Sequence, residues 1–568
     1  MIRSPIFILP FSCEGPAAAC SVPSYTSCPP DSPLLPRPTN LTESNYVQDA
    51  AKNLSAMLDA AVQDEIKSGW IDNVKPFWEY HHRGENNEQG VTEIDDDTQY
   101  LIGSVSKVFS DLMLLKSGVD LQARVTDFLP QLRDPKSKIR WEDITLEMLA
   151  DHLAGISPNA FYEFYFNSFH ESLALPQLND SEYPRCGVLG LNSGCTRERI
   201  LLYKDQVVPI NSRPVYSQLS FTIYTLCLEA HTGKNYSQIL QETIYKPLNL
   251  LTSGLKSRRG GLYSTTNDLS TFLSAILNHS ILPTPAAVRK WLKPLSTTSL
   301  NILVGRPWEI LRITDLIPHH AHTVDIYSKS GGAIGYMAMI AVIEQYGIGV
   351  SVLSAGPVDA MNILYRAVLG TFVPAIEEEG RFQSRRLAGT WTSRSSPNST
   401  HTQRIVGNER IKLTLDLDDG LGLKLTSLTS GNASITDAIK TKWEAEYLTL
   451  GFGILPDTFR LYPTNLEIPV PPSKASSLLT MSHHSNHSYN QLHHARTCEE
   501  KDGKIVRQEW RINLDIILLN GAAMSDLPGQ TTATQYCGSW QTVDWMTYGG
   551  VSWIRLCLCL KGGLRFPG

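Results

Sequence analysis

Apolar residues recur every three to four positions over 45–67, where Val47, Ala51, Leu54, Leu58, Ala61, Val62 and Ile66 share one face and Gly69 follows. That period predicts an amphipathic helix. The same period in Val105, Val108, Phe109, Leu112 and Met113 predicts a buried helix that begins at Ser104. Between the two, 74–81 reads as a strand and 84–87 as its turn. Helical spacing returns at 144–153, with Thr145 near the start, and at 221–231 and 236–245. It appears again at 267–277, capped by Asn267, and at 360–369, while 260–264 reads as a tight turn. The period shortens at 324–329, a strand ending in Ser330-Gly331-Gly332, and at 336–343 and 348–354, joined by a turn at 345–347. Strands at both ends and helices in the middle predict an α+β unit. It is an antiparallel sheet flanked by helices, with a helical insertion. Beyond Leu387 the pattern changes to short runs at 411–417, 423–428, 447–455, 458–461, 506–514 and 541–545, split by Gly, Asp and Asn. These predict a separate all-β domain. The expected division is an N-terminal segment over 1–30, a main domain over 31–373, a linker over 374–386 and a β domain over 387–568.

Composition narrows the function class. The net charge of −6 over 568 residues provides no basic footprint for nucleic acid. The longest apolar runs, such as 336–343, are far too short to span a membrane as a helix. Arg3, the apolar stretch 6–11 and Ala17-Ala18-Ala19 resemble a signal peptide. Eight Asn-x-Ser/Thr sequons, at Asn40, Asn53, Asn179, Asn235, Asn278, Asn398, Asn432 and Asn486, fit secretion as well. Of the ten cysteines, Cys186 and Cys195 could close a short disulfide across a polar loop, and Cys498 and Cys537 could clasp a longer one. The chain is therefore expected in the secretory pathway, and otherwise in the cytoplasm. No cysteine or histidine spacing completes a metal site. His319-His320-Ala321-His322 lacks a helical His pair, and the five histidines of 473–494 sit in a Ser/Asn-rich loop. No metal or cofactor is expected. The aromatic group Phe161, Tyr162, Phe164, Tyr165 and Phe166 reads equally as the roof of a cleft or as a local patch packed on the body.

The candidate chemistry begins at Ser104-x-x-Lys107. At a helix start this spacing brings the amine back onto the face of the hydroxyl. The helix's positive end favours a developing alkoxide, and burial beside a second cation turns a lysine into a base. Ser253-Gly254-Leu255-Lys256 has the same spacing but no apolar stripe after it. Two further stretches follow in order, Tyr216-Ser217-Gln218 and Lys329-Ser330-Gly331. The three together resemble the motif set of the serine β-lactamase and penicillin-binding-protein superfamily. The Tyr in the second motif resembles the class C enzymes and related esterases, D-aminopeptidases and acyltransferases. The resemblance covers about 45–370, and the C-terminal domain is similar to the β domain of fungal members.

The resemblance implies a residue-by-residue scheme. Ser104 attacks a carbonyl to form an acyl-enzyme, and Lys107 takes or steers its proton. Tyr216, its phenol pKa lowered by two amines, shuttles a proton to the leaving group. Lys329 supplies positive charge to Tyr216 and to a substrate carboxylate, beside Ser330 and Gly331. The N–H groups of Ser104 and Gly332 form the oxyanion hole. Gln218 stands where the family usually has Asn, a residue that contacts the substrate amide, and this counts against amide or β-lactam hydrolysis. The segment between Pro247 and Gly261 is short for the family. The expected function is a serine acyl-enzyme hydrolase acting on a small-molecule ester or amide. The alternatives are an acyltransferase of secondary metabolism and a catalytically inactive secreted binding protein. A Ser-His-Asp hydrolase is disfavoured, since no Gly-x-Ser-x-Gly elbow occurs.

Overall fold

A computed structural model describes residues 33–62, 91–135, 137–158, 174, 204–255, 261–299, 301–333, 335–356, 358–392, 411–447, 459–469, 498–501 and 504–513. The signal-like segment, the 74–81 strand, the 161–166 aromatics, Cys186, Cys195, Cys537, the histidines of 473–494 and the 541–545 run lie outside the described residues. Helix α1 (Asn45–Val62) comes first, followed by strand β1 (Tyr100–Leu101) and helix α2 (Ser106–Lys116). The insertion then supplies α3 (Leu146–Ala150) and α4 (Gln218–Thr232). Strands β2 (Gly254–Leu255) and β3 (Leu262–Ser264) join β1 in a small three-stranded sheet, so 262–264 is a strand and not part of the expected turn. Helix α5 (Thr266–Leu277) follows. Its cap is Thr265, whose hydroxyl accepts the Asp268 N–H, so the helix opens earlier than the expected cap at Asn267.

The central sheet is a six-stranded antiparallel meander, β4 (Ser296–Ser299), β5 (Ile302–Val304), β6 (Glu309–Ile313), β7 (Val324–Ala333), β8 (Tyr336–Ile343) and β9 (Ile348–Ala355). Among the described residues it is built from one stretch of chain, and the N-terminal part contributes α1 as a packing helix. Strand β8 shows why its sequence is almost continuously apolar. Ala338, Ile340 and Val342 face the helical core, where Phe109 stacks on Phe272 with ring centroids 4.3 Å apart. Met339, Ala341 and Ile343 face the opposite layer, with Leu54 and Leu58 of α1. Alternation sends successive side chains to opposite faces, and both faces are covered.

Helix α6 (Val358–Ser384) closes that second layer. It runs through Pro374 and through most of the stretch 374–386, where a linker was expected. Two carboxylates of its acidic run, Glu377 and Glu379, are buried against partners. Tyr346 Oη donates to Glu377 at 2.8 Å and Ser44 Oγ to Glu379 at 2.6 Å. A buried charge tolerates the interior only when paired in this way.

The C-terminal region is rich in strand: β10 (Gly389–Thr392), β11 (Ile411–Asp416), β12 (Leu423–Ser430), β13 (Ala433–Ser434), β14 (Phe459–Pro469), β15 (Cys498–Lys501) and β16 (Lys504–Asn513). They form one sheet in the order β10-β11-β12-β14-β16-β15, with β13 on β12. The region is not all-β. Helix α7 (Ile435–Tyr447) follows β13 and takes in the start of the strand expected at 447–455. Ser434 Oγ accepts the Asp437 N–H at 3.1 Å as its cap, and Ile435 and Ile439 pack on the sheet.

Candidate active site

Ser104 sits in a 3-10 turn (Gly103–Val105) that feeds α2. The turn is held by the Val105 N–H, which donates to the Ile102 carbonyl at 3.0 Å. Gly103 has φ +48°, and a Cβ there would stand 2.5 Å from the Gly332 carbonyl oxygen, so only glycine fits. Lys107 lies one turn along on the same face. Its Nζ is 3.0 Å from Ser104 Oγ. Burial lowers its pKa to about 7, with the neighbouring Lys329 ammonium adding to the effect and Glu309 opposing it. A lysine in this state holds a free amine near neutral pH and can take a proton from the serine.

The second motif is positioned by a residue that the sequence reading did not single out. His152 adopts φ +61° just beyond α3. Its carbonyl accepts the Val215 N–H at 2.9 Å, and its Nδ1 accepts the Ser217 N–H at 3.1 Å. Two consecutive anchors therefore bracket Tyr216. The imidazole also packs against the Tyr216 ring, centroids 4.7 Å apart, and against Phe221 at 5.2 Å. Burial, with Lys107 and Lys329 nearby, depresses the His152 pKa to about 3, so the ring is neutral. An accepting Nδ1 puts its proton on Nε2. Ser217 is a cap: its Oγ accepts the Ser220 N–H at 3.0 Å and donates to the Ser157 carbonyl at 2.8 Å. Gln218 is the first residue of α4 and is exposed.

The Tyr216 ring lies between the two amines, 5.0 Å from Lys107 Nζ and 5.1 Å from Lys329 Nζ. The sequence implied a lowered phenol pKa. The structure gives the opposite, a value pushed up to about 12. Burial is the main cause. The neighbouring Ser104 side chain pulls the value down, and the Glu309 carboxylate pushes it further up. Tyr216 is thus a phenol at neutral pH, a proton donor and not a base.

The third motif lies on β7. Along this strand β8 pairs from Tyr327 to Ala333, whereas β6 pairs only from Val324 to Ser328. The edge from Lys329 onward is therefore open, and it faces the Ser104 turn. A Cβ on Gly331 would lie 2.0 Å from the Ile102 carbonyl and 2.9 Å from Ser104 N. The Ser330 N–H points to this edge, and alternation turns the Gly332 N–H the same way. Lys329 is buried, which lowers its pKa.

Glu309, at the first position of β6, is the second residue that the reading missed. Its Oε1 pairs with Lys329 Nζ, and its Oε2 accepts the Ser330 N–H at 3.0 Å and the Ser330 hydroxyl at 2.8 Å. The only sequence signal was a short apolar stretch after Trp308, interrupted by Arg312. All eight residues singled out from sequence thus fall on the Ser104 turn and the first turn of α2, at or just before the start of α4, or on the open end of β7. Ser104, Lys107, Tyr216 and Lys329 converge, and no group of residues able to hold a metal occurs among the described residues.

Comparison with known proteins gives consistent matches. The family model described as Beta-lactamase matches residues 71–370, and one described as "Beta-lactamase-like-like, C-terminal domain" matches residues 380–557. A "Beta-lactamase-like protein" of Arthroderma benhamiae is 41% identical over 590 residues, covering 95% of this chain and 93% of that protein. A protein of a Phoma species named as a probable hydrolase is 24% identical, over 72% of this chain and 74% of its own. Among solved structures, a D-stereospecific amidohydrolase from Streptomyces aligns with TM-score 0.36 at 18% identity, over 46% of this chain and 85% of that one. The octameric penicillin-binding-protein homologue of Pyrococcus abyssi aligns with TM-score 0.36 at 16% identity, over 74% and 87%.

Proposed function

This chain belongs to the beta-lactamase family, a family of hydrolases, and from that premise we propose that it is a serine acyl-enzyme hydrolase with Ser104 as nucleophile. The observation that carries the reading is the 3.0 Å approach of Lys107 Nζ to Ser104 Oγ, by an amine whose pKa is lowered to about 7. In the first step the free amine of Lys107 accepts the Ser104 proton while Oγ bonds to the substrate carbonyl carbon. The developing oxyanion takes hydrogen bonds from the N–H groups of Ser104 and Gly332. The bond to the leaving group then breaks. The Tyr216 phenol gives that group a proton and recovers one from Lys107, so the net transfer is from serine to leaving group. Water repeats the sequence in reverse sense and frees the acid.

The test is hydrolysis of p-nitrophenyl butyrate by the full chain and by Ser104→Ala. We expect turnover to fall by at least about a thousandfold, since the nucleophile is common to both half-reactions. Turnover retained in a folded Ser104→Ala protein rejects the assignment.

A further inference from the structure

We propose that Glu309 makes this cleft reject substrates bearing a carboxylate and restricts it to neutral or cationic esters, because it already occupies the groups that would receive an anion. This rests on the reading of Ser104 as nucleophile and adds the substrate class. The resemblance implied that Lys329 supplies charge to a substrate carboxylate, with Ser330 beside it among the substrate-contacting residues. In the structure both are committed. Lys329 Nζ is paired with Glu309 Oε1 and also donates to the Ser330 carbonyl at 2.9 Å. The Ser330 hydroxyl and N–H both donate to Glu309 Oε2. One carboxylate thus fills a site built from an ammonium, a hydroxyl and a backbone donor.

Accessibility points the same way. The Lys329 side chain is 1% exposed and the Glu309 side chain 34% exposed, so an incoming group meets the carboxylate before the ammonium. To take Lys329 and Ser330, a substrate anion would have to displace Glu309 or sit beside it. Like charges at such spacing are mutually unfavourable in a partly desolvated cleft. A neutral ester needs none of these donors. It requires only Ser104, the amine beside it and the open N–H of Gly332. A β-lactam carries a carboxylate next to its scissile ring and falls in the rejected class.

The experiment compares three p-nitrophenyl esters of similar length on the full chain, the neutral butyrate, the carboxylate-bearing glutarate half-ester and the cationic 4-trimethylammoniobutyrate. The readout is kcat/KM for each. We expect the wild-type chain to prefer the neutral over the anionic ester by about tenfold or more, and to accept the cationic ester at least as well as the neutral one. Glu309→Gln keeps the shape and one acceptor oxygen, and it should shrink the neutral-to-anionic ratio by about tenfold. A ratio near one in the wild-type chain, or an unchanged ratio in Glu309→Gln, overturns the proposal and leaves the nucleophile assignment standing. If Glu309→Gln does not fold, the cationic ester decides on the wild-type chain alone, and slower reaction than with the neutral ester overturns the proposal. Hydrolysis of no ester above the Ser104→Ala background overturns the nucleophile reading itself, and this inference with it.

Discussion

In the proposed mechanism Lys107 is the residue whose state sets the chemistry, and its environment fixes the direction of its pH response. Its pKa is lowered from 10.5 to about 7, chiefly by burial. The rate of acylation should therefore rise as pH increases through about 7, where the amine loses its proton, and level off above. A rate that falls across that range, measured with a neutral ester, would contradict Lys107 as base. The same shift has a cost in stability. Because the unfolded lysine binds its proton more tightly, the penalty is full below pH about 7 and fades as pH climbs toward 10.5. His152 acts through Tyr216. His152→Leu removes the acceptor for the buried Ser217 N–H and should cost about 1–3 kcal/mol of stability. It should also lower kcat by about ten- to a hundredfold as Tyr216 loses its position. Asn tolerates the positive φ and offers Oδ1 where Nδ1 stood, so His152→Asn should recover most of both. Equal loss of kcat in the Leu and Asn variants would argue against the positioning role. Ser104 and Lys107 were legible in the sequence because one helical turn relates them. His152 and Glu309 were not, because their partners lie 65 and 21 residues away, on elements whose approach local spacing does not encode.

At the scale of elements, the site depends on how closely β7 lies on the Ser104 turn. Gly331→Ala would drive a methyl into the Ile102 carbonyl, with backbone on both sides and no flexible side chain to yield. We expect a loss of about 1–3 kcal/mol in denaturant unfolding, together with a drop in kcat as the Ser104 and Gly332 N–H groups separate. Wild-type stability and kcat in Gly331→Ala would show that the close approach is dispensable. Elements with a clear apolar period were read correctly, among them α1, α2, α4, α5, β8 and β9. Strands β4 to β6 escaped notice because they are short and the sheet buries few of their side chains. Helix α6 was cut short in the reading because Pro374 and Glu377-Glu378-Glu379 look like a break when their partners, Tyr346 and Ser44, are out of view.

At the scale of the whole molecule, the sheet divides two apolar layers, and the C-terminal region has a third core of its own. Leu35, from the segment that precedes α1, packs into that third core. Ser44 of the same N-terminal part bonds to α6, and Arg381 of α6 reaches over to donate to the Asp418 and Gly420 carbonyls. His320 adds a contact to the Asp419 carbonyl at 3.1 Å. The sheet-bearing unit and the C-terminal region are thus joined through α6 and the segment before α1, and the proposed chemistry is best tested on the full chain. The most direct measurement is the intact mass of that chain after exposure to a neutral fluorophosphonate, with peptide mapping of the adduct. The account predicts a single covalent addition at Ser104, faster above pH 7 than below it, and absent in Ser104→Ala. An adduct on another residue, or no adduct on a folded wild-type chain, would contradict it.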